Sequence, residues 1–314
     1  MDVKERVRRA VEINCVDYVC NPSDEYDVYT SENLSGHRSK KYYRVDAALL
    51  SPFIKEFTSN PDSGYITTIN ELLSIGYVPK KVSALNKVIS FNNYDRYQDP
   101  IKLLYAEVLS SQILNFFGCP TTCNVAIKSR NEESYEVLSL DFLSYGEAFL
   151  TFDDLGCDFS GDLMANVKQI KEEFAMSYFD EYNKDDLDKV INDYVYSFLV
   201  RRHILKDSDF HDFNSGIIFN RETKEVKYIN FDFEYGFSLQ RTNLEDDLLY
   251  CAEYFPEVYE RFATKVREFY DGIYQLQREF VLQRHDYVYR TMIEDTVDAV
   301  SAVVRKTKKL SKKR

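Results

Sequence analysis

Residues 206–236 read KDSDFHDFNSGIIFNRETKEVKYINFDFEYG. Two short apolar and β-branched runs inside this stretch, GIIF and VKYI, predict strands over 215–219 and 224–230. Asn220 and the polar run behind it predict the turn between them. A hairpin brings its outer ends together. Asp209 and Asn214 stand just before the first strand and Asp232 just after the second. Three oxygen-bearing side chains are therefore expected at one end of one hairpin.

Phosphoryl transfer uses such a set. One carboxylate orients the attacking hydroxyl and takes its proton, while an amide oxygen and a second carboxylate hold magnesium on the nucleotide phosphates. Asp209 and Asn214 have the D-x-x-x-x-N spacing of a kinase catalytic loop, and Asp232-Phe233-Glu234 stands where DFG would. Magnesium favours oxygen ligands and needs few from the protein, because it keeps waters and phosphate oxygens. Taken singly, Asp and Asn are ordinary turn and cap residues; it is their spacing around one hairpin that singles these three out.

The local form Asp209-x-His211-x-x-Asn214, followed by a hairpin and Asp232, resembles the HipA-type kinases, closely over 209–236 and loosely elsewhere. The chain departs from that pattern at Lys206-Asp207-Ser208, where the family has a Gly-Asn pair, and at Phe213, where it often has a basic residue. The resemblance implies a bilobal protein-kinase-like α+β fold, with a sheet-containing N-lobe over 1–145, a mostly helical C-lobe over 146–304 and a basic tail over 305–314. It also implies ATP and Mg2+ as cofactors, a protein serine/threonine substrate and a separate antitoxin-like regulator. Asp209 would be the catalytic base, and Asn214 and Asp232 the magnesium ligands. Within SENLSGHRSKKYYRVDA, Ser35-Gly36 (or Ser31) would form the short phosphate-covering loop, with Ser35 as an autophosphorylation site. His211 has two readings, an orienter of Asp209 or of the loop backbone, or a buried, hydrogen-bonded structural residue, and the second is preferred because the chemistry does not require an imidazole.

Elsewhere the pattern is coarser. Residues 2–12 predict a charged helix, and 16–20 and 26–29 strand pieces. Lys55 lies in AALLSPFIKEF (47–57), read as an apolar strand, where a lysine is costly to bury unpaired. It is the candidate phosphate-holding lysine, with Lys40 and Lys41 as competitors. Residues 67–75 and 81–89 predict two short helices. The clearest helix of the first half is 100–118, with Pro100 in its first turn and Gly118 at its stop. Glu107 is its only acid and the candidate partner of Lys55; the plainer reading is a solvent-facing acid on an amphipathic helix. Strands follow over 121–128 and 135–142, and 140–149 fits a hinge between lobes. Helices are expected over 161–174, 186–206, 243–255, 256–269, 270–281 and 285–306. His203, beside Arg201 and Arg202, reads as a surface or helix-end cation.

The chain has 314 residues, 44% hydrophobic and 29% charged, ordinary for a globular protein with a sizeable core. No apolar run is long enough to span a bilayer, and MDVKERVRRAVE lacks the apolar segment of a signal peptide, so cytoplasmic residence is expected. None of the six cysteines forms a CxxC pair, and free thiols are expected rather than a zinc site. The net charge of −12 argues against broad nucleic-acid binding; RKTKKLSKKR at the end is the one segment with the charge for such a contact. Two further functions compete. FDFEY also looks like the IDFEY of choline and aminoglycoside kinases, which usually carry a His two residues before the Asp, where this chain has Asp207. A nucleotide-binding pseudokinase or interaction module is the other, suggested by the thin glycine loop and by Glu234 in place of glycine.

Overall fold

The computed structural model describes residues 2–13, 15–16, 25–26, 40–50, 63–69, 77, 79–89, 99–127, 135–238, 242–283 and 286–311. Ser31, Ser35, Gly36 and Lys55 lie outside these ranges.

The first half is built on a six-stranded sheet in the order β1-β5-β6-β4-β3-β2. Its strands are β1 (Cys15–Val16), β2 (Glu25–Tyr26), β3 (Lys40–Asp46), β4 (Lys81–Ile89), β5 (Asn124–Ile127) and β6 (Tyr135–Leu140). All pair antiparallel except β1 on β5. The strand β4 corrects the helix expected over 81–89: it sits between β3 and β6, with Lys40 opposite Lys87 and Lys87 opposite Val137. Central placement explains the misreading. Val82 and Ala84 face one apolar layer, Ile89 faces another, and Asn86 and Lys87 are buried as well, so simple polar–apolar alternation is lost. Residues 47–50 form a 3-10 turn, Ala47–Leu50, rather than the start of a strand.

Helix α1 (Val3–Val11) precedes the sheet, and α2 (Pro100–Phe117) runs between β4 and β5. Asp99 caps α2 by accepting from the Ile101 N–H at 2.9 Å, Pro100 occupies the first turn, and Gly118 stops the helix at φ 72°. The sequence predicts one apolar face for this helix, but it is buried nearly all round. Leu103, Leu104 and Val108 pack on the sheet with Ile89, Ala126 and Val137. Leu109, Ile113, Phe116 and Phe117 enter the core of the helical half. Its polar side chains serve neighbouring backbone: Ser111 donates to Thr122 O, Gln112 donates to Arg9 O and Glu12 O at the end of α1, and Asn115 Oδ1 accepts from the Gly64 and Tyr65 N–H groups.

The second half is helical around a three-stranded antiparallel sheet, β7-β8-β9. Residues 141–146 connect the two sheets. After β7 (Glu147–Thr151) come α3 (Leu163–Met176), α4 (Lys184–His203), β8 (Ser215–Asn220), β9 (Val226–Asn230), α5 (Leu244–Tyr254), α6 (Pro256–Gln283) and α7 (Tyr287–Ser311). The two helices expected over 256–281 are one. The basic tail expected over 305–314 is helical to Ser311, with Thr307 and Leu310 buried and Lys306 paired with Glu245. His203 is not on the surface: it is buried, with Nε2 at 2.9 Å from Asp247 Oδ2. No helix among the described residues is long and apolar enough to cross a membrane.

Candidate phosphoryl-transfer site

Helix α4 delivers the chain to the loop before β8. Asn183 caps its start by accepting from the Asp185 N–H, and Val190, Ile191, Tyr194, Val195, Phe198 and Leu199 bury its stripe. Near its end stands Arg201, fully buried. Its guanidinium pairs with Asp207 at 2.6 and 2.8 Å. It also donates to the carbonyls of Asn214 at 2.9 Å, Phe231 at 3.4 Å and Asp232 at 3.2 Å. Its charge lies near the rings of Phe210 and Phe233, 4.3 and 4.8 Å from their centres. One planar fork thus ties the Asp209 loop to the segment after β9. Asp207 serves both sides of this joint: its Oδ2 holds Arg201, and its Oδ1 accepts from the Asp209 N–H at 3.0 Å.

Within the loop, the Asn214 amide donates to the Asp209 carbonyl at 2.7 Å and to its Oδ2 at 3.0 Å. Asp209 and Asn214 are therefore brought together as the D-x-x-x-x-N spacing predicts. His211 is half-exposed rather than a buried structural residue. Its Nδ1 accepts from the Phe213 N–H at 3.1 Å, which leaves the ring proton on Nε2, 3.4 Å from Asp209 Oδ1. The hydrogen bond with Asp209 raises the His211 pKa above its ordinary value, against the lowering from partial burial. Phe213, where the family often has a basic residue, is exposed beside this loop.

The hairpin closes the other side. The Phe231 N–H donates to Asn214 O at 3.3 Å, so Asp232 follows the loop directly, with the backbone of Asp232 at φ 56°. Beyond it Gly236 lies against α2, where a Cβ would come 2.7 Å from Ser110 Oγ and 3.2 Å from the Phe233 carbonyl. Asp232 reaches across to β4: its Oδ1 is 2.5 Å from Lys87 Nζ. Glu107 of α2 lies 3.3 Å from the same nitrogen and Glu234 lies 3.2 Å from it. Glu107 is itself held, Oε1 by the Asn124 amide at 2.9 Å and Oε2 by the Phe233 N–H at 2.8 Å. Burial alone would lower the Lys87 pKa, but the carboxylates of Asp232, Glu107 and Glu234 raise it above its ordinary value, and Lys87 stays protonated.

Glu107, Asp209, Asn214 and Asp232 therefore converge on one site. Lys55, Ser35 and Gly36 lie outside the described residues, and the lysine that pairs with Glu107 is Lys87. Its signal was present in the sequence: a lysine next to Val88-Ile89, in the last apolar run before the long helix. The Asn214 amide nitrogen donates to Asp209, which leaves its side-chain oxygen as an acceptor. These are hard oxygen donors of the kind magnesium takes. Among the described residues no group of three or more His, Cys, Asp or Glu is placed to hold a metal. A cation on Asn214 and Asp232 would then complete its shell with phosphate oxygens and water. The residues fit a magnesium–nucleotide pair, with Lys87 as the cation that would meet its phosphates.

Comparison with protein-family models and with curated proteins finds no match for the sequence. Among solved structures, that of a Helicobacter pylori proinflammatory kinase, CtkA, is similar, with a TM-score of 0.50 and 13% identity over 75% of this chain and 90% of that one. At this identity the likeness concerns fold. The protein has a bilobal, protein-kinase-like α+β fold.

Proposed function

We propose that the protein is an ATP- and magnesium-dependent protein serine/threonine kinase resembling the HipA type. One observation carries the reading: Lys87, from the sheet, is paired with Glu107 of the long helix within contact of Asp232, whose loop is hydrogen-bonded to that of Asp209 and Asn214. In this reading Asp209 receives the proton of the attacking hydroxyl. Asn214 and Asp232 hold magnesium, which when bound neutralises charge on the phosphates. Lys87 takes the phosphate-holding role that the sequence pointed to at Lys55. Glu107 fixes Lys87, and Arg201 fixes the relative position of both acidic loops. The connection 141–146 is the natural place for an adenine ring, at the junction of the two sheets.

The test is incubation with radiolabelled ATP and magnesium, wild type beside Asp209→Asn, followed by mass spectrometry. Label on the wild-type protein or on an added protein, absent in the variant, supports the reading. A second reading, a small-molecule phosphotransferase, draws on the Asp232-Phe233-Glu234-Tyr235 segment and on Glu234 lying inside the site. ADP release with choline, aminoglycosides or sugars, without protein labelling, would favour it. Tight ATP binding with no turnover on any acceptor would favour a pseudokinase.

A further inference from the structure

A lysine that holds phosphates needs one fixed anionic partner. Among the described residues three carboxylates lie within 3.3 Å of the Lys87 ammonium, those of Glu107, Asp232 and Glu234. Glu107 is anchored beside Lys87 by the Asn124 amide and the Phe233 N–H. Asp232 is the carboxylate that would turn to a cation. Glu234 stands where DFG has a glycine and therefore no side chain; here its carboxylate sits 3.2 Å from the ammonium of Lys87. It is largely buried, as is Lys87, so solvent screens the contact weakly. A phosphate oxygen arriving at Lys87 meets a negative group already there.

We propose that Glu234 is an electrostatic gate of the nucleotide site: it competes with phosphate for Lys87 and so restricts binding to nucleotide accompanied by a divalent cation. The inference rests on the phosphotransferase reading. Metal-free nucleotide brings its full negative charge against Glu234 and Asp232 and gains Lys87 only by displacing them. Nucleotide carrying a divalent cation offers positive charge to Asp232 and lowers the repulsion at Glu234 at the same time. The gate is thus a difference between two ligand forms, which is how a site achieves specificity when attraction alone would accept both.

The experiment is calorimetric titration of the full chain with ATP in EDTA and with ATP in excess magnesium, for wild type and Glu234→Gln. The substitution keeps shape and removes charge, and thermal melting of both proteins checks that the fold is kept. Glu234→Gln should bind metal-free ATP at least about tenfold more tightly than wild type, with magnesium–ATP affinity changed by less than about threefold. Unchanged metal-free affinity overturns the gate while leaving the nucleotide site standing. Weakened magnesium–ATP binding with unchanged metal-free binding makes Glu234 a cation ligand and also overturns it. Failure of the wild-type protein to bind ATP even with magnesium overturns the phosphotransferase reading beneath it. A melting temperature that falls sharply in Glu234→Gln sends the same comparison to Glu234→Ala, which also removes the charge; unchanged metal-free affinity there overturns the gate.

Discussion

Glu107 Oε2 holds two groups at once, the ammonium of Lys87 at 3.3 Å and the Phe233 N–H at 2.8 Å. A single carboxylate oxygen on the long helix therefore sets both the lysine of the sheet and the backbone next to Asp232. Lys87→Met should lower magnesium–ATP affinity at least about tenfold, since it removes a buried cation from the phosphate position. Lys55→Met should leave that affinity within about threefold. Calorimetry on the two variants compares them directly, and a larger loss from Lys55→Met would return the phosphate role to Lys55.

Asp209→Asn should keep magnesium–ATP binding and lower phosphoryl transfer by about 10²–10⁴-fold, the range typical of losing a general base. Asp232→Asn should do the reverse in order of severity, weakening magnesium-dependent nucleotide binding first. Single-turnover transfer and calorimetry on the same preparations separate the two roles. Equal loss of binding in both variants would mean that the two acids act at one step.

Arg201→Met should cost about 3–5 kcal/mol of stability, because it leaves the Asp207 carboxylate buried without its partner. Adding Asp207→Asn to that variant should recover a good part of the loss, as the orphaned charge is then gone. Urea unfolding of the two single variants and the double variant closes the cycle. Additive losses would show that the pair is not coupled.

Gly236→Ala should destabilise by about 1–3 kcal/mol, since the new methyl presses on Ser110 Oγ and the Phe233 carbonyl. Ser110 Oγ is buried and makes no hydrogen bond among the described residues, so Ser110→Ala should be close to neutral alone. Combined with Gly236→Ala it should relieve part of the strain. Denaturant midpoints of the four proteins test the coupling.

Burial pushes the thiols of Cys119, Cys157 and Cys251 up to about 12. Thiolate is the reactive form, so these three should resist iodoacetamide at pH 8 in the folded protein. Cys15 is exposed and should react first among the described cysteines. Peptide mapping after timed alkylation checks the order, and early modification of Cys119 would mean that the long helix opens at its end.

The site was half legible in the sequence, for reasons that can be named. Asp209, Asn214 and Asp232 lie close to the ends of one hairpin, and a hairpin brings neighbours in sequence together in space, so their spacing carries the geometry. Glu107 was readable because α2 has strong caps and contains a single acid. Lys87 was missed because β4 is a central strand whose two faces are both buried at its end, which erases alternation, and because Ala84 and Leu85 favour helices intrinsically. Arg201 was not singled out, because nothing local marks a guanidinium that is satisfied by carbonyls from 214, 231 and 232. The continuous run of α6 was cut in two for a related reason: its aromatic residues face a core made by distant segments.

The strap from Pro120 to Thr122 is hydrogen-bonded to Asn230, through Asn230 N–H to Pro120 O at 3.0 Å and Thr122 N–H to Asn230 O at 3.1 Å. It begins where α2 ends, and α2 is embedded in the cores of both halves. In many kinases the corresponding helix swings outward to break its ion pair and switch the enzyme off. In this molecule that swing would tear a stitched seam and expose two apolar layers together. The helix is consequently the common wall of both cores, and any motion of one half against the other has to carry it along or strip it of one apolar layer.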